Sequence, residues 1–166
     1  MNAPHGGAHT LYVGVDVAAA TVTAAWITLE RPVSAPLTVP QTAPGYTALC
    51  AKLATTGIAP SDTLVVVEAT GSYWITLATA LVERGYHVSV VNPKRAHHFA
   101  NVLLKRAKTD TIDAETLARL GVMLQPALWT PPPAIYTELQ QRLTHRDALV
   151  AMRQQLRNQR HALTQQ

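Results

Sequence analysis

The segment from Thr63 to Val91 constrains the fold most, because it holds two apolar runs with one helical pattern between them. Thr63 to Val67 is nearly continuously apolar, which is typical of a strand that is buried on both faces and parallel to its neighbours. Ser72 to Arg84 has the pattern of a helix, and Tyr86 to Val91 has that of a second strand. A strand, a helix and a strand within about thirty residues predict a right-handed βαβ unit and hence an α/β fold.

The sequence before this unit predicts three antiparallel strands. Leu11 to Val17 alternates in polarity, with Asp16 on the face opposite to the leucine and valines. Thr21 to Leu29 is rich in β-branched residues and follows after a short alanine-rich turn, which predicts a hairpin. Val33 to Val39 contains Pro36, which lacks a backbone donor and confines this strand to the edge of the sheet. Together with the βαβ unit, these strands predict a mixed sheet with flanking helices.

The remaining helices divide the chain into a domain and an appendage. They are predicted over Tyr46–Thr56, Lys94–Arg106, Thr111–Gly121 and from Ala134 to the last residue. Three consecutive prolines, Pro131 to Pro133, form a stiff break before the last helix. We therefore expect a flexible tail over 1–10, one α/β domain over 11–129, and a long, basic, coiled-coil-like helix over 134–166.

Length and composition exclude several classes of protein. A chain of 166 residues suffices for one core with a short appendage and excludes large two-lobed architectures. The single cysteine, Cys50, cannot form an internal disulfide or a thiolate metal cage. The N-terminus lacks a signal-peptide pattern, and no apolar run approaches the ~20 residues that span a bilayer. These features predict a cytoplasmic protein without a membrane partner.

Four carboxylates stand at positions that solubility alone does not explain. Asp16 and Glu68 end two predicted strands, and the ends of adjacent strands border the crevice where open α/β sheets bind ligands. Asp110 and Asp113 are three residues apart, which predicts that they share one helix face near its N-terminus. Carboxylate oxygens suit Mg²⁺ or Mn²⁺. Taken singly, each acid could instead bind turn amides, cap a helix or complement a helix dipole.

The basic side chains of the second half indicate an anionic partner. Residues 94–166 hold eleven basic and five acidic side chains, a net charge of +6. The stretch before Asp110 contains no acid and carries Lys94, Arg95, Lys105, Arg106 and Lys108. Cations beside metal-binding carboxylates are what a phosphodiester substrate needs. We therefore expect this stretch to contact the phosphates of a nucleic acid.

The predicted terminal helix has two side-by-side stripes. Its apolar stripe has coiled-coil spacing and comprises Leu149, Met152, Leu156 and Leu163. Its basic stripe comprises Arg142, Arg146, Arg153, Arg157 and Arg160. The first stripe favours self-association or pairing with a partner helix, and the second could contact DNA or RNA. A solvated basic helix docked on the same chain is the alternative.

Motifs along most of the chain resemble the N-terminal domain of the DEDD transposases of the insertion-sequence one-ten family. They are Val-Gly-Val-Asp16-Val, Val-Glu68-Ala-Thr-Gly-Ser-Tyr-Trp, Val-Asn-Pro-Lys-Arg and Lys-Thr-Asp110-Thr-Ile-Asp113-Ala-Glu-Thr-Leu-Ala. The resemblance implies an RNase H-like (RuvC-like) domain that binds Mg²⁺ through Asp16, Glu68, Asp110 and Asp113. It also implies DNA and a guide (bridge) RNA as partners, and a further C-terminal domain that supplies a serine nucleophile.

The resemblance therefore leads us to expect the metal-binding domain of a DNA transposase or recombinase. One alternative is a RuvC-like metal-dependent nuclease, and another is a non-catalytic nucleic-acid-binding or dimerisation module. An actin-like or sugar-kinase lobe would need a second glycine-rich phosphate loop, which the sequence lacks. Divalent-ion binding that depends on Asp16 distinguishes the metal-dependent hypotheses from the non-catalytic module.

Overall fold

The computed structural model describes residues 9–28, 30–103, 113–133, 145–146, 149–150 and 152–158. The chain divides into two compact units, Met1–Thr130 and Pro131–Gln166. The sheet and the helices that cover it belong to the first unit. In the second unit, the described residues are helical from position 145 onward. The predicted continuous helix over 134–166 includes many positions outside the described residues.

Five strands of the first unit form one mixed sheet among the described residues. They are β1 (Leu11–Val17), β2 (Thr21–Thr28), β3 (Leu37–Pro40), β4 (Thr63–Glu68) and β5 (His87–Val91). Their order across the sheet is β3-β2-β1-β4-β5. Strand β2 is antiparallel to both of its neighbours, β1 and β3, whereas β4 runs parallel to β1 and β5 runs parallel to β4. The predicted hairpin, the βαβ unit and the mixed, RNase H-like α/β fold are confirmed.

Four α-helices accompany the sheet in the described part of the first unit. They are α1 (Ala43–Ala54), α2 (Tyr73–Glu83), α3 (Pro93–Leu103) and α4 (Ala114–Leu124), and a 3₁₀ turn covers Pro60–Asp62. No helix in the described ranges is both long and apolar enough to cross a membrane.

The helices cover the two faces of the sheet in separate layers. Helices α1 and α2 pack on one face, where the core includes Val13, Val15, Leu49, Leu77 and Leu81. Helices α3 and α4 pack on the other face, where the core includes Tyr12, Val66, Phe99, Leu117 and Leu120. The alternating side chains of β1 therefore feed two cores. Asp16 continues the row of Tyr12, on the face covered by α3 and α4.

The start of α4 differs from the predicted one, and this changes an argument about the acids. Asp113 has an extended backbone, with φ −93° and ψ 167°, and it is the N-cap of α4. The prediction of a helix from Thr111 is therefore wrong, and so is the argument that Asp110 and Asp113 share a helix face. Asp110 itself lies outside the described residues. Asp113 is held at the helix start because its carboxylate accepts a hydrogen bond from an amide of the first turn.

Candidate metal centre

Asp16 and Glu68 lie side by side near the C-terminal ends of two adjacent strands, β1 and β4. Strands β1 and β4 are parallel, and their register pairs Gly14 with Val66 and Val15 with Val67. The next residue is Asp16 on β1 and Glu68 on β4. Because side chains alternate between the two faces of a sheet, both acids lie on the same face as Gly14 and Val66, which α4 covers. Both side chains are partly buried. The sequence argument that strand-end acids meet at one edge thus agrees with the position of these two residues.

Gly14 brings α4 against β1 and thereby places Asp113 beside the strand ends. A Cβ at Gly14 would overlap with the carbonyl oxygen of Ala114 and the amide nitrogen of Ala118. The backbone of α4 therefore touches the backbone of β1 directly, without a layer of side chains between them. Because Ala114 follows Asp113, this contact sets the N-terminus of α4 next to the end of β1.

Glu68 and Asp113 both lie close enough to Asp16 to influence the pKa of its carboxyl group. Burial raises the pKa of Asp16 first, and the negative charge of Glu68 raises it further. A hydrogen bond from the backbone of Val17 opposes the rise, and the charge of Asp113 adds to it. No described lysine or arginine is among the groups that shift this pKa. The two charged side chains that shift the pKa of Asp16 are therefore both of its own sign.

Each of the three acids also has a hydrogen-bond donor nearby. Thr70 donates its hydroxyl to Oε1 of Glu68 at 2.5 Å. Asp113 Oδ1 accepts the amide of Thr116 at 2.8 Å. Hard oxygen donors of this kind fit a divalent cation such as Mg²⁺ or Mn²⁺. In the described ranges, however, no three His, Cys, Asp or Glu side chains lie close enough together to hold a metal ion.

Two basic side chains lie near the C-terminal end of β5, at the same end of the sheet. Val91, the last residue of β5, is the register partner of Glu68, and α3 begins two residues later. Lys94 and Arg95 lie in its first turn, and both side chains are exposed. Asn92 fixes this turn, because its side-chain oxygen accepts the amide of Lys94 at 2.9 Å. Lys105, Arg106 and Lys108 lie outside the described residues.

In the second unit, the described part of the apolar stripe is solvent-exposed. Leu149, Met152 and Leu156 are 52%, 60% and 65% exposed. The described arginines of the basic stripe, Arg146, Arg153 and Arg157, are exposed as well. Leu163, Arg142 and Arg160 lie outside the described residues.

Sequence reasoning missed three features that shape the site. Thr70 and Thr116 were not identified as donors to the acids, because their bonds depend on turn geometry rather than on a motif. The close approach at Gly14 leaves only one sequence signal, a glycine inside a strand. Ser72 occupies the N-cap position of α2, but its side chain makes no capping hydrogen bond.

Comparison with known proteins identifies the family to which this chain belongs. The chain matches the family model of the insertion-sequence one-ten DEDD transposases, described as "Transposase", over residues 13–166. It is 36% identical over 120 residues to the pilin gene-inverting protein of Moraxella lacunata, and 35% identical over the same length to that of Moraxella bovis. Each alignment covers 72% of this chain but only 37% of the relative. The chain therefore belongs to the insertion-sequence one-ten family of DEDD transposases.

Proposed function

We propose that this chain is the metal-binding part of a transposase or recombinase that acts on DNA phosphodiesters. Asp16, Glu68 and Asp113 would hold Mg²⁺ or Mn²⁺, and Asp110 would complete the set as the fourth ligand. The observation that carries the proposal is the placement of Asp16 and Glu68 at the ends of adjacent parallel strands, with Asp113 at the start of the helix that packs on β1. Burial and the charges of Glu68 and Asp113 raise the pKa of Asp16. A divalent cation would remove the repulsion between these charges and draw the carboxylates together.

The bound ion would polarise a phosphodiester and stabilise the oxygens that attack and leave. The residues of this chain would bind and orient. Asp16 and Glu68 would offer their oxygens from adjacent strand ends, and Asp113 would offer the oxygen that takes no part in its capping bond. Lys94 and Arg95 lie in the first turn of α3, where they would hold neighbouring phosphates of the nucleic acid. Lys105, Arg106 and Lys108 would extend this contact along the backbone.

The relatives support recombination as the reaction, because the name of both states that they invert a pilin gene. The chain spans 37% of their length, and the activity of a whole recombinase is part of this proposal. We propose that a further C-terminal domain of the recombinase supplies the serine nucleophile. We also propose that the domain over 11–129 carries the metal centre, and that the helix predicted over 134–166 associates with a second copy. Its basic stripe, Arg142, Arg146, Arg153, Arg157 and Arg160, would contact DNA or guide RNA.

Calorimetric titration of the chain with MnCl₂ tests the proposal. We expect binding by the wild type and a loss of affinity of at least about tenfold in Asp16→Asn, which removes one ligand charge at nearly constant volume. The matched control is Glu83→Gln, an exposed acid at the end of α2, which should bind as the wild type does. Mn²⁺ affinity that is the same in all three proteins contradicts the metal site and favours a non-catalytic module. Metal-dependent DNA hydrolysis by the wild-type chain alone would favour a RuvC-like nuclease.

A further inference from the structure

The carboxylate of Glu68 is held by a residue to which the site described above assigns no role. Thr70 follows Glu68 by two residues and donates its hydroxyl to Oε1 at 2.5 Å. Its backbone amide also donates to the carbonyl oxygen of Glu68, at 2.9 Å. Two hydrogen bonds therefore close a tight turn between the same two residues, directly after β4.

The rest of this turn is fixed by contacts from other elements. The amide of Ala69 donates to the carbonyl oxygen of Val91 at 3.0 Å, which extends the pairing of β4 and β5 by one bond. Gly71 has φ +63°, a conformation that favours glycine and that turns the chain into α2. The indole of Trp74 donates to the carbonyl oxygen of Gly71 at 3.1 Å and packs edge-on against Trp129. The backbone thus places the Thr70 hydroxyl, and the hydroxyl in turn places the carboxylate.

The chemistry of the two side chains explains how Thr70 can hold the carboxylate of Glu68 in one position. A glutamate has three side-chain torsions, and Glu68 is only partly buried, so packing alone does not fix its carboxylate. A threonine hydroxyl has one hydrogen to donate, and this one goes to Oε1. Among the described residues, no hydrogen bond engages Oε2, which can therefore bind a cation. The β-branched side chain of threonine is itself restricted in χ1, which makes it a stiff support.

We propose that Thr70 is a positioning residue of the metal centre: its hydroxyl holds Glu68 with Oε2 directed to the ion. The inference rests on the proposed function, since it concerns the same site. Outer-shell partners of metal-binding carboxylates typically change metal affinity by about 10–100-fold when they are removed. Thr70 is exposed at the surface, so its substitution leaves the two cores of the sheet untouched.

Mn²⁺ titration of two variants tests the role of the hydroxyl. Thr70→Val keeps the shape of the side chain and removes the donor, and we expect it to weaken Mn²⁺ binding by about tenfold. Thr70→Ser restores the donor and should bind within about twofold of the wild type. Thr76→Val, an exposed threonine on α2, is the control for a general effect of this substitution. Equal affinity of Thr70→Val and the wild type overturns the inference.

Crystal structures without metal separate this inference from the proposed function. We expect one position of the Glu68 carboxylate in the wild type and in Thr70→Ser, and displacement or several positions in Thr70→Val. An unchanged carboxylate in Thr70→Val overturns the inference even where the wild type binds Mn²⁺. A wild type that binds no Mn²⁺ overturns the metal site, and with it the role of Thr70, even where the carboxylate of the variant moves.

Discussion

At the scale of the residue, Asp16 is an acid placed where its charge is unfavourable in the folded chain. Burial and the charges of Glu68 and Asp113 raise its pKa above the value of the unfolded chain. The folded chain then binds more protons than the unfolded chain between the two pKa values. The contribution of Asp16 to stability is therefore most favourable below the unfolded pKa of 3.8 and declines as the pH rises through the folded pKa.

Because the raised pKa makes the ionised Asp16 unfavourable for folding, we predict that Asp16→Asn stabilises the metal-free chain at neutral pH. In EDTA, thermal unfolding should give a Tm for the variant that is higher by on the order of a few degrees, and the difference should shrink at acid pH. In saturating Mn²⁺ the order should reverse, because the wild type alone gains free energy from the ion. A lower Tm for the variant in EDTA would show that the charge of Asp16 is compensated in the folded chain.

The residues of the site differ in how much the sequence reveals. Asp16 and Glu68 follow clear strand patterns, and the end of a strand predicts the edge at which its side chain lies. Thr70 has no such signal. Its bond to Glu68 depends on the positive φ of Gly71 and on the pairing of Ala69 with Val91, which only the folded chain shows.

At the scale of the element, strands were easier to predict than helix starts. The continuous apolar run of β4 and the alternation of β1 give their bounds closely, because burial of a strand imprints its period on the sequence. Helix α1 begins three residues before the predicted Tyr46, because Thr42 caps it and Pro44 fits its first turn. Strand β3 begins only after Pro36, which lacks a backbone donor; before it, single contacts such as the hydrogen bond from the amide of Ser34 to the carbonyl oxygen of Trp26 replace the regular ladder.

The basic residues in the first turn of α3 lead to a prediction about DNA binding. If Lys94 and Arg95 hold phosphates, the double variant Lys94→Gln and Arg95→Gln should weaken DNA binding and reduce the slope of log K against log salt by about two. The matched control is Lys52→Gln, an exposed lysine of α1 on the opposite layer of the sheet. Fluorescence anisotropy over a salt series measures both slopes. A double variant with the slope of the control contradicts the interface.

At the scale of the whole molecule, the second unit offers an apolar surface that a single helix cannot bury. Leu149, Met152 and Leu156 are spaced by three and four residues and are mostly exposed. If they pair with a second copy, light scattering should show an oligomer for the wild type. Changing all three to glutamine should give a monomer that still binds Mn²⁺, since the residues of the proposed metal centre belong to the first unit.

Gln155→Ala, an exposed residue of the same helical segment, controls for a general effect on that segment. It should leave the oligomer intact. A wild type that remains monomeric at high concentration would contradict pairing through these side chains and leave the arginines beside them as the main feature of the second unit.

The contact at Gly14 also dictates when during synthesis the site can exist. Strand β1 is made first, whereas α4, which packs on its backbone at Gly14 and begins at Asp113, is the last helix of the first unit. A ribosome must therefore release almost the entire first unit before Asp113 can reach Asp16. Such contacts between distant parts of the chain form late in folding. Under the proposed function, a nascent or prematurely terminated transposase has no complete metal centre, and its chemistry on DNA is withheld until the domain is whole.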